Sequence, residues 1–235
     1  MEDRHRSFLE AHTVRTQVPL VPEIWLRVAS EVTPLWHATE AWLAQEGLEP
    51  PFWAFPWAGG QALARHVLDA PELVRGLVVL DFACGSGLVG LAAARAGARR
   101  VLAVDTDPLA FAATTMNAEE ARASAATNAA SIGLCTGAIE PHVGDWVGRD
   151  LGRDGVDVLL AGDVFYDAGA ARRFIVWFRE LARSGVRVLV GDPGRAYVPT
   201  ERVIVRSEVT VPVPEGLEGK HEMSARVLEV LEVLE

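Results

Sequence analysis

Residues 78–90 of the chain, VVLDFACGSGLVG, decide the fold. An apolar run leads directly into a glycine-rich loop with the pattern G-x-G-x-x-G at Gly85, Gly87 and Gly90. A strand that passes through such a loop into a helix is typical of doubly wound α/β proteins, in which the loop holds part of a nucleotide-like ligand. Because the glycine pattern alone is common, the residues around it must indicate which ligand is bound.

The same strand and helix alternation continues along the chain. Continuous apolar runs are typical of strands that are covered on both faces, as in a parallel sheet between helix layers. Helices are expected at about 87–96, from Pro108 onward and at 168–185. The predicted parallel strands span 77–82, 99–105, 141–146, 156–163 and 186–192.

The C-terminal part changes character after residue 193. Residues 202–213 form a strand pattern, whereas 224–234 fit a strand or a helix by periodicity, and we prefer an antiparallel hairpin that closes the sheet edge. The sequence therefore predicts an α/β fold with a doubly wound, mostly parallel seven-stranded sheet, Rossmann-like in topology.

The first 60 residues differ in composition from the rest. This segment holds five of the seven tryptophans and several prolines. It fits either a helical cap packed on the sheet or a lid whose rings line a ligand pocket. We therefore predict an N-terminal helical, aromatic cap at 1–60 and the main α/β domain at 61–235.

Composition excludes several classes of function. The net charge of −10 argues against binding to nucleic acid, which needs clustered Lys and Arg, and suits a basic partner such as an exposed lysine. The start has no apolar signal region, and no apolar span of about 18 residues follows, so we expect a soluble, cytoplasmic protein without a membrane partner. Cys84 and Cys135 lack partners at metal spacing, which predicts neither a disulfide nor a metal site.

Acidic residues at the strand ends indicate the ligand. Asp81 stands just before the glycine loop, where it would repel a pyrophosphate and hold a cation. Asp105 ends the next strand, where doubly wound folds place the acid that binds a ribose diol. Asp145 and Trp146 end the third predicted strand and suit the amino group and face of an adenine. Adenine, ribose and a positive centre without phosphates describe S-adenosylmethionine.

Several longer motifs carry a family resemblance. They are VPEIWLRVASEVTPLW, PFWAFPWAGGQALARHVLD, VLDFACGSG, AVDTDPLAFAATTMNA, GDVFYD and VGDPGRAY, in this order along nearly the whole chain. With these motifs the chain resembles the electron transfer flavoprotein β-subunit lysine methyltransferase family, a branch of the seven-strand S-adenosylmethionine-dependent methyltransferases. The most specific segments are 52–62, 162–167 and 191–195.

The resemblance implies roles for individual residues. It puts Asp163 and Tyr166, as the catalytic pair, at the mouth where the target lysine enters, with Gly59 on the neighbouring wall. The methionyl end of the cofactor would lie at the glycine loop and its ribose at the second strand end. The full predicted cofactor-binding set is Asp81, Gly85, Gly87, Asp105, Thr106, Asp145, Trp146, Trp57 and Gly60.

Two features depart from the family pattern. Ala83 stands where the family's loop usually has glycine, so we expect a negative φ at this residue. The repeated pattern AATTMNA at 112–118 and AATNAA at 125–130 predicts an extension of the helix that begins at Pro108.

The expected activity is S-adenosylmethionine-dependent methylation of a lysine in the electron transfer flavoprotein β-subunit by a monomeric enzyme, without a metal. Asp163 is expected to position the amine for an in-line displacement. Three alternatives remain at this point: a methyltransferase that acts on another protein or a small amine, a nicotinamide-dependent oxidoreductase, and a catalytically inactive binding module.

Overall fold

The computed structural model describes residues 2–29, 50–127 and 138–232. The strands are β1 (Val14–Val18), β2 (Val21–Val28), β3 (Val78–Phe82), β4 (Arg100–Asp105), β5 (Ala138–Val143), β6 (Val158–Gly162), β7 (Arg187–Asp192), β8 (Val203–Pro212) and β9 (Glu222–Val230). The helices are α1 (Glu2–His12), α2 (Ala58–Asp69), α3 (Leu88–Arg95), α4 (Pro108–Thr127), α5 (Ala168–Arg183) and α6 (Glu215–Glu218). None of the helices in these ranges is long and apolar enough to cross a bilayer.

A seven-stranded sheet forms the centre of the molecule, in the order β5-β4-β3-β6-β7-β9-β8. Strands β3 to β7 run parallel, and β9 is antiparallel to both of its neighbours. The prediction of a doubly wound, mostly parallel sheet is confirmed, as is the C-terminal hairpin. The order reverses direction between β3 and β6, so a crevice opens there at the carboxyl ends of the strands.

Alternate residues of the central strands pack into two separate apolar layers. On one face, Val79, Leu160 and Leu189 pack against α2 and α3. On the other face, residues such as Leu80 and Val190 pack against α5, which contributes its buried aromatic side chains there. Because both faces of these strands are covered by helices, neither face presents side chains to water. This explains their continuous apolar sequences.

The N-terminal segment differs from the predicted helical cap. After α1, residues 14–28 form a two-stranded antiparallel sheet of β1 and β2, whose alternating apolar residues pack on the core. Short β-branched segments of this kind carry too weak a periodicity to be assigned against a Trp- and Pro-rich background. The proposed boundary at residue 60 falls inside α2, and this helix packs directly on the main sheet.

Two of the predicted features lie partly outside the described residues. The helix after Pro108 continues to Thr127, beyond the first copy of the repeated pattern, while the second copy, 125–130, passes out of the described range. Much of the aromatic segment before residue 50 lies outside it as well.

Glycines bring α2 against the carboxyl ends of β6 and β7 at backbone contact distance. A Cβ on Gly59 would lie 2.3 Å from the Gly191 carbonyl oxygen, and one on Gly191 would lie 2.0 Å from the Gly59 oxygen. A Cβ on Gly162 would come within 2.7 Å of the Gly60 Cα. Side chains at Gly59, Gly162 and Gly191 would therefore push helix and sheet apart, which gives the glycines of the WAGG and GDPGR motifs a packing role.

The adjacent glycines of α2 provide a matched test of this contact. Gly59→Ala should destabilise the protein by at least about 2 kcal/mol, because the rigid backbone of β7 must move to admit the methyl group. Gly60→Ala should instead stabilise it by about 0.5–1 kcal/mol, because the nearest atom to that Cβ, in the Leu88 side chain, is 3.9 Å away and alanine favours the helix. Urea unfolding of both variants is the measurement, and equal effects would contradict the packing role.

Candidate functional site

A cleft of about 750 Å³ lies at the carboxyl ends of the central strands, where the sheet order reverses. This size is within the usual range for a small-molecule site. Nine of the eleven predicted site residues line it: Trp57, Gly60, Asp81, Gly85, Asp105, Thr106, Asp145, Asp163 and Tyr166. Gly87 and Trp146 are not among the lining residues.

The glycine loop between β3 and α3 uses left-handed backbone at three alternate positions. Ala83 has φ 52°, Gly85 has φ 52° and Gly87 has φ 82°. The expectation of a negative φ at Ala83 is therefore wrong. An alanine in this region costs about 1–2 kcal/mol of local strain, which the surrounding hydrogen bonds must offset.

Two buried side chains of α4 donate hydrogen bonds to carbonyl groups of this loop. The Thr114 hydroxyl donates to the Gly85 carbonyl at 3.0 Å, and the Asn117 amide donates to the Ser86 carbonyl at 2.9 Å. A Cβ on Gly87 would lie 2.8 Å from the Thr114 methyl group, so this glycine is required by the helix behind the loop. Sequence reasoning missed both helix residues, although they lie in the AATTMNA pattern that it noted.

Asp81 lies at the floor of the cleft and is 1% exposed. The Gly90 N–H donates to its carboxylate at 2.7 Å, and a Cβ at that glycine would lie 2.9 Å from the same oxygen. The third glycine of the motif therefore makes room for an acid. Burial raises the pKa of the Asp81 carboxyl to about 7, partly offset by the Gly90 hydrogen bond and increased by the nearby negative Asp105.

Asp105 closes the loop from the end of β4. Its carboxylate accepts the Gly85 N–H at 2.9 Å and the Asp107 N–H at 3.0 Å. Burial raises the pKa of the Asp105 carboxyl despite these hydrogen bonds. The side chain thus lines the cleft and also holds the loop.

The third predicted strand end is displaced from its expected position. β5 ends at Val143, and the chain leaves the sheet through Gly144, so Trp146 turns away from the cleft. Its ring packs below Arg149, whose Cζ lies 3.9 Å from the ring centroid, and against the apolar layer of α5. Asp145 lines the cleft and pairs with Arg173 at 2.6 Å, which lowers the pKa of the Asp145 carboxyl.

Asp163 follows β6 with φ 61°, an uncommon backbone conformation for a residue other than glycine. Its side chain is 3% exposed and lies against an ion-paired arginine. The Arg195 Nε donates to the Asp163 carboxylate at 2.6 Å, and the Gly59 N–H donates to it at 3.0 Å. Gly59 therefore belongs to the wall behind the cleft and is not among its lining residues.

Aromatic side chains form the outer wall next to Asp163. The Phe52 ring lies 5.4 Å from the Tyr166 ring and 6.3 Å from the Trp57 ring, between centroids. The Trp57 indole N–H donates to the Phe52 carbonyl at 2.7 Å, which fixes this ring at the start of α2. Tyr166 is 54% exposed, so this wall reaches the protein surface.

The charges of the cleft favour a cationic ligand over a phosphate-bearing one. Asp81 and Asp105 face the glycine loop, and the two arginines among the lining residues, Arg173 and Arg195, are both paired with carboxylates. A pyrophosphate at the loop would lie against the carboxylates of Asp81 and Asp105, whereas a sulfonium or ammonium group would be attracted to them.

Comparisons with known structures support this fold. A tRNA (uracil-54, C5)-methyltransferase from Pyrococcus abyssi is 14% identical, with a TM-score of 0.53 over 93% of this chain and 44% of that one. A Thermoplasma acidophilum protein gives a TM-score of 0.50 at 16% identity, over 74% of this chain and 88% of that one. At these identities the likeness concerns the fold alone.

Sequence comparisons give the family. The family model for ribosomal protein L11 methyltransferase (PrmA) matches residues 63–138. A Xenopus laevis protein named electron transfer flavoprotein beta subunit lysine methyltransferase is 39% identical over 201 residues, 85% of this chain and 74% of the relative. The Danio rerio protein of the same name is 37% identical, over 83% of this chain and 69% of the relative. The chain belongs to the family of electron transfer flavoprotein β-subunit lysine methyltransferases.

Proposed function

We propose that this protein transfers a methyl group from S-adenosylmethionine to a lysine side chain of the electron transfer flavoprotein β-subunit. The observation that carries the cofactor assignment is the buried Asp81 carboxylate under a glycine loop without an unpaired cation among the lining residues. The substrate assignment is supported by the relatives, which are named for this activity and resemble the chain over most of its length.

The cleft residues fit the cofactor at both of its polar ends. Asp81 and Gly85 would hold the methionyl end, and Asp105 with Thr106 would hold the ribose. Asp145 remains the proposed partner of the adenine amino group, because it lines the cleft, whereas Trp146 no longer belongs to this set. We also propose that the enzyme acts as a monomer.

The cofactor supplies a methyl group on a sulfonium, which an amine can displace in a single in-line step. The protein must therefore bring the amine close, a proximity effect worth roughly 7–11 kcal/mol, and must receive it in the neutral form. For a lysine with an ordinary pKa near 10.4, loss of the proton at pH 7 costs roughly 4.6 kcal/mol. Partial burial beside a sulfonium would lower this cost.

The acceptor side is assigned to the wall formed by Asp163, Trp57 and Tyr166. Asp163 offers a carboxylate oxygen for a hydrogen bond to the amine, and the aromatic rings cover the alkyl part of a lysine side chain. The exposure of Tyr166 supports an entrance at the surface, as a protein substrate requires. The negative net charge of the protein favours encounter with a lysine-bearing segment.

Cofactor binding should depend on pH through Asp81. The pKa of the Asp81 carboxyl is raised to about 7, and the cationic cofactor favours the ionised form, so binding below that pH must first remove a proton. Affinity for S-adenosylmethionine should therefore be about tenfold weaker at pH 6 than at pH 8. Calorimetry in two buffers of different ionisation enthalpy should detect proton release at pH 6.

The matched control is Asp81→Asn, which keeps the size of the side chain and an acceptor for the Gly90 N–H. This variant should bind the cofactor more weakly, and its affinity should not change between pH 6 and 8. A pH dependence that persists in the variant would assign the titration to another group.

Loss of the Asp105 carboxylate, which is proposed to bind the ribose, should weaken binding of S-adenosylhomocysteine. Asp105→Ala removes a charge-assisted hydrogen bond and the acceptor for the Gly85 N–H, so the Kd should rise at least tenfold, about 1.5–3 kcal/mol. Asp105→Asn keeps one acceptor oxygen and should lie between the alanine variant and the wild type. Calorimetry is the measurement, with thermal unfolding as the check on folding, and unchanged affinity in a folded alanine variant would remove Asp105 from the site.

Mass spectrometry tests the proposed substrate directly. Incubation of the electron transfer flavoprotein β-subunit with enzyme and S-adenosylmethionine should add one or more methyl groups to lysine, and more slowly at high salt because the encounter is electrostatic. An unmodified β-subunit beside clear labelling of another protein would keep the methyltransferase activity and exclude this substrate.

A further inference from the structure

The loop after β7 aims one arginine at the acceptor side of the cleft. Asp192 at the end of the strand is buried, and its carboxylate accepts the backbone N–H groups of Gly194 and Arg195 at 2.7 and 2.8 Å. Gly194 has φ 88°, so the chain turns sharply there. This turn explains the remaining residues of the GDPGR motif, because it directs the Arg195 side chain back over the end of β6.

The Arg195 guanidinium lies between two nearly buried carboxylates. It donates two hydrogen bonds to Asp163, at 2.6 and 3.3 Å, and two to Glu218 of α6, at 3.1 and 2.7 Å. The carboxylate side chains are 3% and 8% exposed. Trp57 lies alongside, with its ring centroid 5.8 Å from the Arg195 Cζ. Four bonds from a planar fork hold both acids in a defined geometry.

An isolated carboxylate at Asp163 would act against the reaction. It would stabilise the ammonium form of an arriving lysine, whereas methyl transfer requires the neutral amine. Ion pairing with Arg195 offsets the charge nearest the amine and leaves the remaining negative charge on Glu218, behind the arginine. The carboxylate can then orient the amine with less stabilisation of its protonated form.

We propose that Arg195 is a positioning residue for methyl transfer: it holds the Asp163 carboxylate at the acceptor side and offsets its charge, so that the acceptor lysine is bound as a neutral amine. This inference rests on the proposed function. It assigns a role to the GDPGR motif and to Glu218 that cofactor binding does not require, since Glu218 is not among the residues that line the cleft.

The surrounding charges leave Arg195 as the balancing cation. Apart from Arg195 itself, the titratable groups that act on Arg195, on Asp192 or on the neighbouring Tyr166 hydroxyl are acidic side chains, namely Asp105, Asp163, Asp167 and Glu218. Burial alone lowers the pKa of the Arg195 guanidinium, but the hydrogen bonds that it donates to Glu218 and Asp163 outweigh this effect and raise that pKa, so the cation persists at every working pH.

The test compares pH profiles of kcat at saturating S-adenosylmethionine, where protonation of Asp81 no longer limits binding. Arg195→Gln should lower kcat at pH 7 at least tenfold and move the acid limb of the profile about one pH unit towards alkaline pH. Its Kd for S-adenosylhomocysteine should stay within about threefold of the wild type. Arg195→Lys keeps the charge but not the fork, so its kcat should fall while the limb stays in place.

Two further variants separate charge balance from folding. Glu218→Gln removes the outer acid and should move the acid limb towards lower pH, by less than the shift of Arg195→Gln. Arg187→Gln is the matched control, because this arginine begins the same strand and pairs with Glu229 at 3.0 Å at the other end of β7. Its pH profile should coincide with that of the wild type.

The outcomes distinguish this inference from the proposed function. A wild-type enzyme that methylates no lysine overturns both. If the wild type is active while Arg195→Gln lowers kcat equally at every pH and leaves the acid limb of the pH profile in place, the arginine is only structural. That result overturns the inference but not the proposed function. If Arg195→Gln does not fold, the Glu218→Gln variant decides: an acid limb at the wild-type pH in that variant also overturns the inference.

Discussion

The close contact between the backbone at the start of α2 and the backbone at the ends of β6 and β7 determines where the proposed acceptor side of the cleft can lie. Gly59 and Gly191 lie so close together that a side chain at either position would clash with the backbone of the other. The same approach brings the Gly59 N–H to the Asp163 carboxylate and the Asp163 N–H to the Gly191 carbonyl. Because these bonds connect helix, strand end and acid, the left-handed backbone of Asp163 is held by its surroundings, as strained residues at functional sites require.

Acids occur on both sides of the cleft, but in opposite electrostatic settings. Asp81 and Asp105 receive backbone N–H groups, and burial raises the pKa of each carboxyl. Asp163 is just as buried yet has a guanidinium bonded to it in two places. The first pair has no cationic partner among the residues that line the cleft, whereas Asp163 has its counter-charge within the chain. Under the proposed function, this difference would let one cleft attract a sulfonium at one end without stabilising an ammonium group at the other.

The sheet could be predicted from the sequence because its strands are buried on both faces and are therefore continuously apolar. The position of Asp81 and Asp105 in the cleft could be predicted for a related reason, since each lies at the end of a strand beside the glycine loop. Trp146, which we expected to contact the adenine, is not among the residues that line the cleft, because β5 ends at Val143 and periodicity does not define strand ends that closely. The prediction of a negative φ at Ala83 was wrong, because hydrogen bonds around the loop overcome the preference of alanine for negative φ.

The residues that sequence reasoning missed act across long separations in the chain. Asn117 donates to the loop carbonyl of Ser86 and accepts the Arg27 N–H of β2 at 2.8 Å, so one amide connects the N-terminal hairpin to the glycine loop. Glu218 connects α6 to the acceptor wall through Arg195 in the same way. Such a side chain carries no local pattern, because its partners are adjacent only after the sheet has formed. The N-terminal hairpin is therefore connected to one side of the cleft through Asn117, and α6 is connected to the other side through Glu218. A substitution in either element can change the geometry of the cleft although it lies outside any ligand contact.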